Sequence, residues 1–166
     1  MTRIFSALLA GLLAFAVAAP ASGTPAFGGY DWPVEGPVIG AFDSPDSPFS
    51  AGHRGIDIAV PSGTEVLAPS PGKVAFAGPV AGSLFVSVDH PDGVRTTYSW
   101  LSSVAVRRGQ EVGTGDVLAL TGWGHAASST PHLHFGARYG GEYIDPLSLL
   151  NEIGVSGFIR LAPMPA

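Results

Sequence analysis

The chain has 166 residues, with 8 Lys plus Arg against 13 Asp plus Glu, a formal net charge of −5 and no cysteine. These numbers exclude a disulfide scaffold and a lipid-modified N-terminal cysteine, and they lack the basic footprint of a nucleic-acid binder. Twenty-three glycines and 15 prolines favour many turns over long helices.

The first stretch, MTRIFSALLAGLLAFAVAAPASG, sets Arg3 before an apolar run and then small residues. That is the layout of a secretory signal peptide, assigned here to residues 1–21 with cleavage after Ala18 or Ala21. The apolar run is short for a membrane span, and an uncleaved anchor helix is the other reading. A loose leader, SGTPAFGGY, occupies residues 22–30. The exported chain without disulfides must draw its stability from a core, and its length suffices for one domain, placed at residues 31–154.

Short apolar runs then recur between turn signals: PVIGAF, GIDIAV before PSGT, EVLA before PSPG, and KVAFAG. SLFVSVDH alternates, with Leu84, Val86 and Val88 on one face and Ser83, Phe85, Ser87 and Asp89 on the other. PDG turns the chain into VRTTYSWL, a hairpin. DVLALTG and HLHFGA are two further strands. DPLSLLNEIG reads as a helix, with Asp145 as cap, Pro146 in the first turn and Gly154 as stop. The tail at 155–166 carries no signal. The sum is an all-β domain with one short C-terminal helix.

Two stretches carry chemistry. In TPHLHFGARY, His132 and His134 share one strand face while Leu133 and Phe135 share the other. Burying two imidazoles without partners is costly, so that face is wet or something binds the rings. In GHRGIDI, His53 and Asp57 lie four apart with Gly55 between them, which lets the backbone bend and the side chains converge. Imidazole and carboxylate both ligate zinc, and one histidine of HLH completes a set of three with a fourth position open. Either piece alone reads equally well as a turn or as a polar strand face.

HRGIDI, TTYSWLS, PHLHF and YIDP, in this order, resemble the motifs of lysostaphin-type (LytM-like) zinc metallopeptidases. GTEVLAPSPGKVAFAG and VRRGQEVGTGDVLALTG also look like that family's turn-and-strand pattern, and the resemblance covers residues 31–150. It implies a compact antiparallel β-sandwich of the duplicated-hybrid-motif type with a zinc groove, and hydrolysis of peptide bonds in bacterial peptidoglycan. His53, Asp57 and His134 would be the metal ligands. His132 would be the free histidine beside the metal, a general base or transition-state donor. The location implied is secreted or cell-wall associated, outside the bacterial cytoplasm. The implied partners are peptidoglycan peptides or, for a domain that does not cut, another cell-wall hydrolase; no nucleic acid is expected, nor a membrane once the leader is removed.

The chain also departs from that pattern. Where the family usually has a second catalytic histidine, in Tyr-x-His-Leu, this chain has YSWL with Trp100. An indole N–H donates a hydrogen bond but accepts no proton. Trp100 reads either as packing at the groove edge or as a substrate platform. Gly136 stands where the family commonly has glutamate. His90 is read as a hairpin-turn residue, and His125 as a solvated loop residue near the groove. Tyr98 shares a strand face with Trp100 and is read as core or as a phenol near the metal.

Overall fold

The computed structural model describes residues 29–44, 50–125 and 128–150. The expected signal peptide, the leader up to residue 28, Gly154 as helix stop and the tail lie outside the described residues. Ten strands follow in order: β1 (Val38–Gly40), β2 (Ile56–Ala59), β3 (Glu65–Leu67), β4 (Gly72–Val80), β5 (Ser83–Asp89), β6 (Val94–Val104), β7 (Glu111–Val112), β8 (Val117–Thr121), β9 (His132–Tyr139) and β10 (Glu142–Ile144). All pair antiparallel in one open sheet of order β1-β2-β9-β6-β5-β4-β7. β8 joins β3 to β6, and β10 folds back on β9. The all-β expectation holds. Of the expected helix the described part is a single 3₁₀ turn, Pro146–Ser148, whose cap is Asp145 accepting from the Leu147 amide.

The expected alternation along β5 places Val86 and Val88 in the core, both fully buried. They meet Tyr98, Leu133, Phe135, Ile56 and Ile58 in the main apolar cluster. The opposite faces of β5, β6 and β9 line an open cleft of about 450 Å³, with Phe85, Ser87, Thr97, Ser99 and His134 on its wall. One set of strands therefore carries the core on one side and the cleft on the other.

The hairpin expected at PDG is present. Asp92 accepts from the Val94 amide at 3.0 Å, and Gly93 takes a φ of 87°. A smaller apolar cluster, Tyr30, Val94, Ala137 and Leu149, closes the end of the sheet near this turn. There Tyr30 forms a parallel bridge with Leu150, and its amide donates to the Leu149 carbonyl at 3.1 Å.

Alternation fails at one place in β6. The ladder with β5 slips between Phe85–Ser99 and Leu84–Leu101, leaving Trp100 as an extra residue. Trp100 has a φ of 64°, in the left-handed region. A bulge of this kind re-aims a side chain. Tyr98 points into the core, fully buried, with its ring 5.5 Å from that of Phe135. Trp100 instead lines the cleft, next to Ser99. The two residues do not share a face, and of the two roles read for Tyr98 the structure supports core.

Candidate metal centre

Four of the chain's five histidines gather around Asp57. β2 and β9 lie side by side with Asp57 directly opposite His134 and Ala59 opposite His132. His53 enters just before β2, on an isolated bridge to Asp43. His53 Nε2 lies 3.1 Å from Asp57 Oδ1 and 3.2 Å from His134 Nδ1, and His134 Nδ1 lies 2.8 Å from the same Oδ1. The structure thus brings together the three expected ligands. Glycine at 55 has a different reason from the one expected. Its φ is not in the left-handed region. A Cβ there would stand 2.4 Å from the Phe135 carbonyl oxygen and 2.9 Å from His134 Nε2, so closeness to β9 requires glycine.

The ring orientations favour a cation. The Nδ1–H of His53 donates to the Ala41 carbonyl at 2.6 Å, leaving the Nε2 lone pair facing Asp57 and His134. Edges of 2.8 to 3.2 Å between the three donors are near the roughly 3.3 Å edge of a tetrahedron of zinc ligands. Asp57 is buried, which alone would raise its pKa. Hydrogen bonds from His134 and His125, and the charge that His134 and His53 carry when protonated in place of a bound ion, outweigh burial and hold it well below the usual carboxylate range.

His132 lies on the same strand face as His134, as expected, but its ring is buried. Its Nδ1–H donates to the Thr130 carbonyl at 2.8 Å. Its Nε2 therefore presents a lone pair 3.9 Å from Asp57 Oδ2, and that atom is buried without a hydrogen-bond partner. An orphaned buried acceptor beside three converging ligand atoms fits a bound ion with a polar group attached. Gly124 lies against this ring: a Cβ at Gly124 would stand 2.2 Å from His132 Cε1.

Reading His125 as merely solvated understates its place. Its Nε2 is 3.2 Å from Asp57 Oδ2, its ring is 4.5 Å from that of His132, and with Asp57 and His132 it forms a second group able to hold a metal ion. No spacing signal marks it, because a loop and not a strand carries it there. Trp100 reaches the same cluster, edge-on to His125 at 6.3 Å and 5.7 Å from Phe85.

His90 stands at the hairpin turn, as expected, and closes it with its backbone. It is buried at the start of the hairpin turn, far from the cluster in role. Its Nδ1–H donates to the Pro71 carbonyl, and its Nε2 accepts from Thr96, whose hydroxyl accepts from Tyr98. Burial holds its pKa below the ordinary histidine value, against the raising effect of the Pro71 carbonyl.

Residues 51–146 match the model of peptidase family M23. The chain belongs to peptidase family M23. Among curated relatives it is 38% identical over 140 residues to the uncharacterized protein Rv2891 of Mycobacterium tuberculosis, covering 80% of this chain and 54% of that protein. It is 34% identical over 124 residues to the murein hydrolase activator NlpD of Escherichia coli, covering 73% of this chain and 31% of that one. The chain thus spans about half the length, or less, of these M23 relatives. Among solved M23-like structures, a zinc-containing peptidase from Vibrio cholerae superposes with a TM-score of 0.62 at 26% identity, covering 75% of this chain and 40% of that one. The catalytic domain of lysostaphin from Staphylococcus simulans gives 0.55 at 28% identity, over 66% and 86%. The antiparallel fold is therefore the lysostaphin-like one.

Proposed function

We propose that this M23 domain is an extracytoplasmic zinc metalloendopeptidase that hydrolyses peptide bonds in bacterial peptidoglycan. The observation that carries the reading is the convergence of His53 Nε2, Asp57 Oδ1 and His134 Nδ1 at the side of an open cleft. The zinc-containing Vibrio peptidase among the structural neighbours supports zinc as the ion. Bound zinc supplies Lewis acidity toward a substrate carbonyl and acidifies water.

The chain's own residues supply the rest. The Ala41 carbonyl fixes the ring of His53, and the hydrogen bonds that Asp57 accepts keep it an ionised carboxylate ready to serve as a ligand. His132, its tautomer set by Thr130, offers Nε2 as the proton acceptor beside the ligands. Trp100 donates one N–H at most, so a second proton acceptor is missing from its position. A donor of that kind, when lost, typically costs about 3 kcal/mol, whereas a lost proton-transfer group costs roughly 10²–10⁴-fold.

Trp100 also favours a second reading: a zinc-holding module that docks on peptidoglycan and activates another hydrolase. The 34% identity to NlpD supports it. The purified protein is expected to hold about one zinc per chain, lost in His134→Ala, by metal analysis. Incubated with peptidoglycan, it should release new amine termini, and chelator should stop the release. No release, together with stimulation of a separate wall hydrolase, establishes the second reading. In the peptidase reading Trp100→His should raise hydrolysis by tenfold or more. A fall would make the indole a substrate contact.

A further inference from the structure

Three of the chain's eight cationic residues, Arg54, Arg95 and Arg138, line the same cleft as His53 and His134. Arg95 and Arg138 are direct cross-strand partners on β6 and β9. Like charges placed opposite each other destabilise a sheet. Asp89 takes only one of them, holding Arg95 by two hydrogen bonds of 2.5 and 2.9 Å. Among the described residues no carboxylate pairs with Arg138. Its guanidinium lies 4.0 Å over the ring of Tyr143 and donates to that hydroxyl. Arg54 lies 5.6 Å from the same ring centre. Burial, and then the charges of Arg95 and Arg54, push the Arg138 pKa down. A net-acidic protein thus concentrates positive charge at one end of its cleft, on rigid strands and braced by an aromatic ring.

We propose that Arg138, with Arg54 beside it, forms a carboxylate-binding subsite in the metal cleft, taking a free carboxylate of the bound peptide, while Arg95 stays paired with Asp89. The proposal rests on the peptidoglycan reading above and names which feature of the peptide is recognised. A guanidinium fork matches a carboxylate through two parallel hydrogen bonds. Arg138 follows His134 by four residues on one strand face, about 13 Å along β9. The recognised carboxylate therefore lies within about four residues of the bond aligned with the metal.

The test is calorimetric binding of two probes to the zinc-loaded protein and to the metal-free protein. One probe is the tetrapeptide L-alanyl-γ-D-glutamyl-L-lysyl-D-alanine with its carboxylates free; the other is the same peptide amidated. The free acid should bind roughly tenfold tighter or better, and the preference should shrink as salt rises. Arg138→Gln should abolish the preference, while Arg138→Lys, which keeps charge but not the fork, should retain part of it. Circular dichroism checks that both variants fold. Equal binding of the two probes, no binding of either, or a preference that survives Arg138→Gln overturns the subsite. Cleavage of peptidoglycan is measured in parallel. Preference without cleavage supports the subsite and overturns the peptidase reading, and cleavage without preference does the reverse.

Discussion

His90 shows how one imidazole can be structural while four others converge on a carboxylate. Its Nε2 accepts from Thr96, and that acceptor role requires a neutral ring. Burial depresses its pKa, so the unfolded chain takes up this proton more readily than the folded one. Stability from this residue is therefore complete above the unfolded value near pH 6.5 and declines as pH falls from there toward the depressed folded value. Thermal unfolding at pH 7.5 and at pH 5.5 should show a lower Tm at the acidic pH, and His90→Gln should flatten that dependence. An unchanged slope in the variant would show that His90 does not set it. That His90 is buried was not legible from its position in DHPDG, because its partners are Pro71, in the turn before β4, and Thr96, on β6. That His53 and Asp57 could meet one histidine of HLH was legible, because spacing and strand alternation are local properties, whereas the separate roles expected of His132 and His134 came from the family resemblance.

At the scale of elements, the site depends on how closely β2 approaches β9. Gly55 has no room for a methyl group against the Phe135 carbonyl, and the neighbouring pairs Ile56–Phe135 and Asp57–His134 share that register. Gly55→Ala should force the strands apart at the ligands. We expect a loss of about 1–3 kcal/mol in denaturant unfolding and weaker zinc retention in a chelator competition. A variant with full stability and zinc content would show that the strands can shift without cost. Strand alternation predicted β5 and β9 correctly but misplaced Trp100, because a bulge is a mismatch in count between two strands and neither strand shows it alone. β7 and β10, of two and three residues, are too short to show a period. The place of His125 depends on a loop folding over β9, which no window of sequence contains.

For the whole molecule, the ligands tie residues 53 and 57 to residue 134 across a chain with no disulfide. A bound ion stabilises only the folded state, by about 2.7 kcal/mol when it is present at 100 times its dissociation constant. Removal of metal by chelator should therefore lower the Tm by several degrees, read by calorimetry. His134→Ala should unfold at the same temperature with or without chelator. Equal Tm values for the untreated and chelated wild-type protein would show that the fold needs no ion.

The parallel bridge between Tyr30 and Leu150 puts the points where the flanking segments leave the sheet next to each other. Tension applied at residues 30 and 150 meets this bridge, with the Tyr30 hydroxyl's bonds to Asp92, at the rim. In a force-extension measurement this bridge should rupture first, with His53, Asp57 and His134 still together. A pull at residues 30 and 150 would thus be met at the rim before it reached the histidines.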